Sequence, residues 1–389
     1  MKVCFISSVY ALSDTDRNGS FLVETVKHLT AKGHQVSIFA PSYEGRKNHY
    51  VNGIPVRRFR YFFRKWENLT HEQGAPNRIR NPFYLFVAVF YILSGLVNSV
   101  LYCRKERFDV LHVHWPFPHG IWGFAAGKLS NTPMVLNFHG AEILLAKNFF
   151  FVNSFLRHSL KHSSGVICNS SYTAGKVKKL TDKPVQIIPF GTTLNAKPAL
   201  KDLNKKVKDI LFAGRLIERK GLNYLLDAMK SINREVAVHL HVVGDGNMVD
   251  EWKRQKSILE LDEMVTFHGF VTNQKLESLY ARADLFVLPA IVDHRGDTEG
   301  LGVVLVEAMS FKTPVVASDV GGISDVIIHG ETGLLVKEKD SIALAEACIR
   351  ILTDDSLASS LAEKGLEHAL SYFDWDRIII LVEKIYEDL

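Results

Sequence analysis

The alternation of short apolar runs with helix-forming segments along the whole chain constrains the fold most. Each run is followed by a polar or glycine-containing loop and then by apolar residues at helical spacing. Continuous apolar runs are typical of strands buried in a parallel sheet, which need helical crossovers between them. The runs lie at residues 2–8, 35–41, 109–114, 134–138 and 165–169, and again at 209–213, 237–243, 265–271, 284–289 and 314–318. The pattern predicts a doubly wound α/β architecture, formed twice.

The length of 389 residues suffices for two domains, each with its own core. Residues 192–207 are polar, contain several lysines and are typical of a linker. We therefore predict a Rossmann-like domain at residues 1–195, a second one at 196–372, and a terminal helix at 373–389 that packs back on the first domain. Both domains are expected to present their strand ends to a central cleft.

Composition places the chain among globular proteins, with 47% hydrophobic and 23% charged residues. The four cysteines form no CxxC pair, which favours reduced core thiols in a cytosolic protein over a disulfide framework or zinc site. A strand pattern begins at once after Met1, so no signal peptide is expected. Residues 1–195 carry 24 Lys and Arg against 10 Asp and Glu, so this half is expected to face an anionic partner.

Two segments of the first half suggest what that partner is. Residues Arg57–Trp66 interleave cations with aromatic side chains, which suits a membrane interface, stacking on nucleic-acid bases, or a solvated basic loop. Residues Phe83–Leu101 form the most hydrophobic run, just long enough to span a bilayer. Because this run contains Ser94 and Asn98 and leads straight into a strand pattern, we interpret it as a buried or interfacial helix.

Two further residues of the first half lie where ligands bind in open α/β sheets, beside the carboxyl ends of strands. His139, followed by Gly140, ends a predicted strand and either hydrogen-bonds a substrate hydroxyl or is structural. Gly19 opens the first helix and either lets a ligand phosphate approach the backbone or forms a simple turn. The loop before Gly19 lacks GxGxxG, so the sequence argues against a dinucleotide site.

In the second half, a predicted strand is followed by Gly214, three cations and Gly221 before a helix begins. The glycines allow a phosphate to approach the backbone. Arg215 can bind two phosphate oxygens at once, and Lys220 supplies a mobile point charge. The alternative is an ordinary surface loop, because cations are common after strands.

Residues 295–322 form a turn-rich loop that runs into an apolar segment with helical spacing. Glu299 lies at the junction and Glu307 eight positions later, a separation of about 12 Å along a helix, which is close to the length of a sugar diphosphate. One carboxylate can then bind a sugar and the other a ribose. The N–H groups of Gly302 and Val303 would be unpaired in a first helical turn and would favour phosphate. The alternative is an amphipathic helix with two solvated glutamates.

Three motifs together indicate a known family. They are Gly214-Arg215 with Lys220-Gly221, the pair Glu299 and Glu307, and His139-Gly140. In these motifs the chain resembles the retaining glycosyltransferase family 4, essentially over its whole length and most strongly over residues 209–340. The resemblance implies the GT-B fold, with two Rossmann-like domains, a nucleotide-sugar donor in the cleft and no separate cofactor. Residues 60–81 also look like those of sugar transferases that build polysaccharide on lipid carriers.

The resemblance also implies roles for single residues on the donor side. Arg215 and Lys220 would hold the donor diphosphate and stabilise the leaving nucleotide. Glu307 would bind the ribose hydroxyls and Glu299 the donor sugar. Val271, just past a predicted strand, would bind the base through its backbone.

The remaining implied roles concern backbone groups and the first domain. Gly302 and Val303 would offer N–H groups to the donor, and Gly214 would open the phosphate loop. His139 would contact the transferred sugar, and Gly19 would lie near the phosphates and the acceptor. The first loop departs from the frequent Gly-Gly pair of the family, because Asn18 precedes Gly19 here.

Two Asp-x-Asp motifs are possible metal holders, at residues 14–16 and 374–376, but neither falls where we place the diphosphate. Because two cations are already available there, we expect metal-independent catalysis. The nearest candidate nucleophile is Glu299. We favour instead front-face attack with retention, in which the leaving phosphate takes the acceptor proton.

We therefore expect a hexosyltransferase that uses UDP-glucose or a similar UDP-hexose and a glycan or lipid-linked acceptor in surface polysaccharide synthesis. It would be cytoplasmic and peripheral on the inner face of the cell membrane, with contacts through Arg57–Trp66 and Phe83–Leu101. The alternatives are a sugar-nucleotide 2-epimerase of the same fold and a non-catalytic sugar-nucleotide binder. Nucleic-acid binding is disfavoured, because the basic residues cluster beside apolar surface and show no groove signature.

Overall fold

A computed structural model describes residues 1–14, 16, 19–70, 78–79, 81–194, 196 and 205–389. These residues form two compact units. The first consists of Met1–Ile188 and Ile378–Leu389, and the second of Pro189–Arg377. The predicted linker at 192–207 lies partly outside the described residues.

The first unit contains an eight-stranded sheet with helices between its strands. Its elements are β1 (Lys2–Ile6), α1 (Ser20–Ala31), β2 (Gln35–Pro41), β3 (His49–Val51), β4 (Ile54–Phe59), α2 (Pro82–Glu106), β5 (Val110–His114), α3 (Pro116–Ser130), β6 (Met134–Phe138), α4 (Ala141–Asn148), α5 (Phe150–His162), β7 (Gly165–Cys168), α6 (Ser171–Val177) and β8 (Gln186–Ile187). The strand order is β3-β4-β2-β1-β5-β6-β7-β8. All pairs are parallel except β3 with β4.

The second unit repeats the arrangement with a six-stranded parallel sheet in the order β11-β10-β9-β12-β13-β14. Its elements are β9 (Lys208–Ala213), α7 (Leu222–Glu235), β10 (Val238–Val243), α8 (Val249–Ile258), β11 (Val265–Gly269), α9 (Asn273–Arg282), β12 (Leu285–Leu288), α10 (Val303–Ser310), β13 (Val315–Ser318), β14 (Leu334–Val336), α11 (Ser341–Thr353) and α12 (Asp355–Tyr372); the chain ends in α13 (Trp375–Glu387). Short 3₁₀ turns lie at Arg64–Trp66, Glu218–Lys220 and Ile323–Asp325.

Strand burial explains why the apolar runs form parallel sheets. Every residue of β5, β6, β12 and β13 is buried, as expected for strands covered on both faces. The direction of winding reverses between β1 and β5 in the first sheet and between β9 and β12 in the second. At such a switch point the loops after the two strands diverge and leave a crevice for a ligand.

Each predicted strand overlaps an observed one, and the structure adds β3, β4, β8 and β14. The β3–β4 hairpin turns at Asn52-Gly53, where both residues have positive φ (49° and 78°). Asn-Gly is the preferred sequence for such a two-residue turn. The hairpin could therefore have been predicted from this dipeptide.

The boundary between the units falls after Ile188, whereas the sequence placed it after residue 195. Leu194 packs in the core of the second unit. The carbonyl of Thr192 accepts a hydrogen bond of 2.8 Å from the indole N–H of Trp375. These contacts assign the segment before residue 195 to the second unit.

The last residues of the chain return to the first unit. The hydroxyl of Tyr386 lies 2.6 Å from Nδ1 of His112 in β5. Glu383 pairs with His34 at 2.9 Å. These two polar contacts hold α13 against the first sheet.

Each unit has its own hydrophobic core. The core of the first unit includes Phe138 and Trp122, and that of the second includes Phe212 and Phe286. All four cysteines belong to the described residues, and all are buried and outside disulfides.

Helix α2 corresponds to the hydrophobic run predicted at 83–101. It is long and apolar enough to cross a membrane by length and composition alone. Only one stripe of it is buried in the first unit, formed by Val87, Tyr91, Gly95, Ser99 and Cys103. The helix therefore lies on the surface of the unit and is not a buried core helix.

Arg58 of the segment at 57–66 is not available to a membrane, a nucleic acid or solvent, as the three interpretations of this segment required of its cations. Arg58 is 5% exposed, and its guanidinium donates hydrogen bonds to the carbonyls of Pro41, Tyr10 and Ala11. Burial lowers the pKa of Arg58 to about 10. The side chain points inward because β4 pairs with β2, and it thereby joins β4 to the end of β2 and to the segment at Tyr10 and Ala11.

Candidate active site

The loop after β9 begins with close backbone contacts at the switch point of the second sheet. Gly214 has φ 151° and donates its N–H to the carbonyl of Val243 at 3.0 Å. A Cβ atom on Gly244 would lie 1.9 Å from the carbonyl oxygen of Gly214. Side chains are therefore excluded here, and the backbone stays accessible beside the loop.

Lys220 ends the 3₁₀ turn at Glu218–Lys220 and is 6% exposed. Its Nζ lies 2.5 Å from Oε2 of Glu299. The next residue, Gly221, has φ 64°, and a Cβ atom on it would lie 1.9 Å from the carbonyl oxygen of Pro289. This backbone contact fixes where Lys220 enters the site.

Arg219 contacts the same carboxylate, although sequence analysis assigned no role to this residue. Its Nη1 lies 3.1 Å from Oε2 of Glu299 and donates to the carbonyl of Thr298 at 3.2 Å. Its Nε lies 3.4 Å from Oδ2 of Asp297. The one signal in the sequence was that Arg219 immediately precedes Lys220.

The charge of Glu299 is held by these two cations. Glu299 is 9% exposed. Burial by itself would raise the pKa of Glu299, but the charges of Lys220 and Arg219 outweigh it and lower the pKa to about 2. Burial also lowers the pKa of Lys220, against the raising effect of Glu299. Lys220 and Arg219 are balanced by the carboxylates of Glu299 and Asp297, so Arg215 on the same loop gives the group an excess of positive charge, which suits an anionic ligand.

Arg215 lies on the same loop with its side chain exposed. In the part of the chain that the structure describes, its guanidinium forms no hydrogen bond or ion pair. A fork of N–H donors beside two further cations is a suitable arrangement for a diphosphate.

Helix α10 begins directly after the Glu299 loop. Gly302 is its N-cap, with φ 90°, and a Cβ atom there would lie 3.7 Å from Cγ of Glu299. The carbonyl of Gly302 accepts from Leu305 at 2.8 Å. Among the described residues the N–H of Val303 has no acceptor, as expected in a first helical turn, and this end of the helix favours anions.

Glu307 lies on α10, one face of which contacts α9. It is 9% exposed, and its Oε2 accepts a hydrogen bond of 2.9 Å from the hydroxyl of Tyr280. Burial raises the pKa of Tyr280, and the neighbouring carboxylate raises it further. Tyr280 therefore remains a donor that orients Glu307, a role that sequence reasoning missed because the two residues lie on different helices.

Val271 follows β11 and is partly buried against the core of the second unit. Neither its N–H nor its carbonyl has a partner within the described residues. One free donor and one free acceptor are what a nucleobase edge requires. Gly214, Lys220, Glu299 and Gly302 contact one another in a continuous group, whereas Val271 lies apart at the end of its own strand.

His139 lies in the first unit at the end of β6. Its ring stacks on Trp115 at a centroid distance of 4.3 Å. Its Nε2 lies 3.1 Å from Nδ1 of His114 and 3.2 Å from Nδ2 of Asn137. Burial lowers the pKa of His139 to about 3, so the imidazole is neutral near pH 7. Trp115, His114 and Asn137 therefore hold a neutral ring in a fixed orientation at the end of β6.

Glu142 supports the backbone of His139. Its Oε1 accepts a hydrogen bond of 2.8 Å from the N–H of His139. It is 1% exposed, and its Oε2 has no partner within the described residues. Burial raises the pKa of Glu142 to about 7. The spacing between His139 and Glu142 was visible in the sequence, but the contact was not predicted.

Gly19 is the N-cap of α1, with φ 70° and the carbonyl of Val9 3.4 Å from the position of a Cβ atom. Its neighbour Asn18 lies outside the described residues. Asp14 and Asp16, of the first Asp-x-Asp motif, accept backbone hydrogen bonds from Asn52 and Leu12. These carboxylates hold loop structure.

The second Asp-x-Asp motif has a similar local role. Asp374 accepts a hydrogen bond of 3.0 Å from the N–H of Arg377 at the start of α13. In the described part of the chain no group of three or more His, Cys, Asp or Glu residues is arranged to hold a metal ion.

The chain matches two family models that together cover most of its length. Residues 19–195 match the model described as Glycosyltransferase Family 4, and residues 196–368 match that described as Glycosyl transferases group 1. A phosphatidyl-myo-inositol mannosyltransferase of Mycobacterium leprae is 31% identical over 72% of this chain and 73% of its own length. TuaC of Bacillus subtilis, named for teichuronic acid biosynthesis, is 26% identical over 96% and 95%.

The fold has known counterparts as well. The structure of sucrose-phosphate synthase from Thermosynechococcus elongatus superposes with a TM-score of 0.77 at 21% identity and covers 100% of this chain and 98% of that one. The predicted GT-B fold of two tandem Rossmann-like α/β units is confirmed. The chain therefore belongs to the glycosyltransferases of family 4, as its sequence motifs indicated.

Proposed function

We propose that the protein transfers a hexosyl group from a nucleotide sugar, UDP-glucose or a similar UDP-hexose, to a glycan or lipid-linked acceptor in surface polysaccharide synthesis. The reaction would take place at the cytoplasmic face of the cell membrane. The names of the relatives from M. leprae and B. subtilis support a lipid or polysaccharide acceptor. The cluster of charged side chains in the second unit supports a nucleotide sugar as the donor.

The cluster formed by Lys220, Arg219 and Glu299 beside the start of α10 carries the proposal. The buried Lys220 and the partly buried Arg219 share the Glu299 carboxylate at 2.5 and 3.1 Å, and Arg215 has no partner in the described part of the chain. A diphosphate that enters this loop can accept from Arg215, Lys220 and the N–H of Val303. Glu307 would then bind the ribose, and Val271 would bind the base.

The same cluster can stabilise the departing nucleotide. Negative charge builds on the β-phosphate as the anomeric C–O bond breaks. One preorganised charged donor directed at such an oxygen contributes roughly 3 kcal/mol to the transition state. We propose that Arg215 and Lys220 act in this way without a metal ion.

We further propose front-face transfer with retention. The acceptor hydroxyl would attack on the side from which the diphosphate leaves, and a phosphate oxygen would take its proton. Glu299 is held by Lys220 and Arg219, with a pKa of about 2, so it is a poor proton acceptor near pH 7. The neutral ring of His139 would bind a hydroxyl of the transferred sugar.

A donor and product assay tests the function. The protein would be incubated with UDP-glucose, GDP-mannose or ADP-glucose, with and without a lipid-linked acceptor, and the released nucleotide and the anomeric configuration of the product would be measured. We expect acceptor-dependent release of UDP and an α-linked product from an α-linked donor. An isomerised donor formed without acceptor would indicate an epimerase, and binding of UDP without any turnover would indicate a non-catalytic binder.

Metal independence has a test of its own. Turnover should persist in EDTA, because the charge on the leaving group is balanced by side chains. A complete loss in EDTA that Mn²⁺ restores would show that these cations are insufficient.

A further inference from the structure

The outer face of α2 is a large apolar surface that no part of the described chain covers. Its exposed side chains are Leu85, Phe86, Val89, Phe90, Leu93, Val97 and Leu101, most of them more than half exposed. We call this set the α2 face. It extends over 17 residues, from Leu85 to Leu101, or about 24 Å of helix. A contiguous apolar surface of this size marks an interaction site in a soluble domain.

The opposite side of α2 is anchored in the first unit. A Cβ atom on Gly95 would lie 2.2 Å from the ring of Trp122, so helix and ring are in direct contact. The hydroxyl of Tyr91 lies 2.9 Å from Nε2 of His119. The indole of Trp122 donates to the carbonyl of Ile92 at 3.0 Å. A helix that left the unit to cross a bilayer would break these contacts, so α2 is held parallel to the surface of the unit.

An aromatic cluster extends the α2 face at its N-terminal end. The ring of Phe62 lies 5.4 Å from that of Phe90, and the ring of Trp66 lies 5.3 Å from that of Phe83. Phe63 is 69% exposed beside them. Aromatic rings, Trp above all, favour the boundary between lipid headgroups and acyl chains.

Cations border the apolar surface at both ends. Five exposed ones form no ion pair within the described part of the chain, namely Arg57, Arg64, Lys65, Arg104 and Lys105, whereas the exposed Arg60 is paired with Glu67 at 2.6 Å. Residues 82–105 contain no Asp or Glu. At the end of α2, Glu106 is paired with Lys2 at 3.1 Å. An apolar face with unpaired cations at its borders matches an anionic lipid surface in both polarity and charge.

We propose that the α2 face and its bordering cations form a lipid-binding surface, on which the first unit lies with α2 in the plane of an anionic membrane. The apolar side chains enter the region below the headgroups, and the arginines and lysines meet lipid phosphates. The occupant is the bilayer, because a second copy of this chain would bring the same unpaired cations against these ones.

The surface also has a consequence for the acceptor, which rests on the proposed function. Helix α3 runs parallel to α2, since Tyr91 meets His119 and Gly95 meets Trp122. Helix α3 begins directly after Trp115, whose ring stacks on His139. The aromatic end of α2 and His139 therefore lie at the same edge of the first unit. A lipid-linked acceptor held in the membrane is presented at this edge.

Vesicle flotation tests the surface without requiring turnover. The full chain would be floated with vesicles of phosphatidylcholine alone or with about 30% phosphatidylglycerol, at 0.1 and 1 M NaCl, where screening differs strongly. We expect flotation with the anionic vesicles at low salt and about ten-fold less with neutral vesicles or high salt. Equal flotation under all conditions would overturn the charge part of the proposal, and no flotation would overturn it entirely.

Two double variants and a matched control assign the binding to α2. Leu93→Glu with Val97→Glu, and Arg104→Glu with Lys105→Glu, should each lower flotation about ten-fold or more. Ile258→Glu with Ile342→Glu changes two apolar residues of the second unit that are even more exposed than Leu93 and Val97, and this variant should float like the wild type. If both α2 variants floated as well as the wild type, the proposal would be overturned.

Three further measurements separate the remaining outcomes. Alkaline carbonate should release the bound protein, and retention in the pellet would overturn the in-plane arrangement in favour of a spanning helix. A wild-type dimer that does not float, and that Leu93→Glu with Val97→Glu converts to a monomer, would assign the surface to a second copy. Thermal stabilisation by UDP should be the same in all variants, so a failure of the donor site is scored separately from a failure to bind vesicles.

Discussion

Lys220 and Glu299 are each buried with a charge that neither could keep alone. An isolated buried charge is costly, and removal of one partner leaves the other uncompensated. Arg219 adds a second cation to the same oxygen atom. The carboxylate of Glu299 therefore holds both cations in an arrangement in which a phosphate can share them.

Replacement of Lys220 by Ala should lower kcat by about two orders of magnitude, because the charge that meets the leaving phosphate is lost. The variant should stay folded, since Arg219 still pairs with Glu299. Stopped assays of nucleotide release measure the effect. Lys230→Ala removes an exposed ion pair between α7 and Glu260, which lies in the turn after α8, and should leave turnover unchanged. Normal turnover in Lys220→Ala would exclude Lys220 from the reaction.

Glu142 predicts a pH dependence of stability near neutrality. Its pKa is raised from 4.5 to about 7 in the folded protein, so the folded state keeps a proton that the unfolded state releases. This contribution to stability is complete below about pH 4.5 and is lost as the pH rises through about 7. Glu142→Gln cannot ionise and should exceed the wild type in stability by on the order of 2 kcal/mol at pH 8.

Urea unfolding of the first unit at pH 4.5 and pH 8 measures this difference, which should nearly vanish at the lower pH. The control Glu260→Gln changes an exposed carboxylate and should show no such trend. If Glu142→Gln matched the wild type at both pH values, protonation of Glu142 would make no contribution to the free energy of unfolding.

At the scale of elements, the loops of the second unit are positioned by contacts between backbones. Gly221 touches the carbonyl of Pro289, and Gly321 lies where a Cβ atom would be 2.0 Å from the carbonyl of Glu299. The N–H of Gly322 also donates to that carbonyl at 3.0 Å. The Glu299 loop is therefore clamped between α10 and the turn after β13.

Gly321→Ala should displace the Glu299 loop and lower kcat/KM at least about ten-fold, because both its φ of 61° and its surroundings exclude a methyl group. Gly330→Ala is the matched control. Its φ is 77°, but no atom lies within 4 Å of the Cβ position. It should cost only the backbone strain of about 1 kcal/mol and keep full activity. Equal kinetics in the two variants would show that the clamp has no role.

At the scale of the whole molecule, the chain has two hydrophobic cores and an uneven distribution of charge. Residues 1–195 carry an excess of Lys and Arg, whereas residues 196–389 carry 23 Lys and Arg against 32 Asp and Glu. The residues proposed for the nucleotide all belong to the second unit, whereas the basic half and the α2 face belong to the first. A ligand stabilises the part of a protein to which it binds. Nucleotide binding and lipid binding are therefore expected to leave different traces in the molecule.

Hydrogen exchange with UDP tests this division. The experiment uses UDP at about 100 times its Kd. Amide exchange that requires opening of the site should then become about 100-fold slower in peptides from residues 208–221 and 297–310. Peptides from β1 and β5 of the first unit serve as the internal reference. Protection confined to the first unit would place the nucleotide elsewhere.

The sequence alone determined the parallel α/β architecture, because the alternation of apolar strands and helices is a local property. It also located the glycines and charges at strand ends, since ligands bind there in such sheets. The β3–β4 hairpin was missed although Asn52-Gly53 is a local signal.

Only the tertiary structure decided which side chains meet. Lys220 and Glu299 are 79 positions apart, and Tyr280 reaches Glu307 from another helix. Arg58 turned inward, whereas most of α2 remained on the surface. Local periodicity fixes which elements form, but the direction of a side chain and its partner depend on packing between elements that are distant in sequence. For that reason the chain's motifs indicated a donor site, while the contacts of Arg219 and Tyr280 and the choice of which side of α2 stays exposed emerged only from the fold.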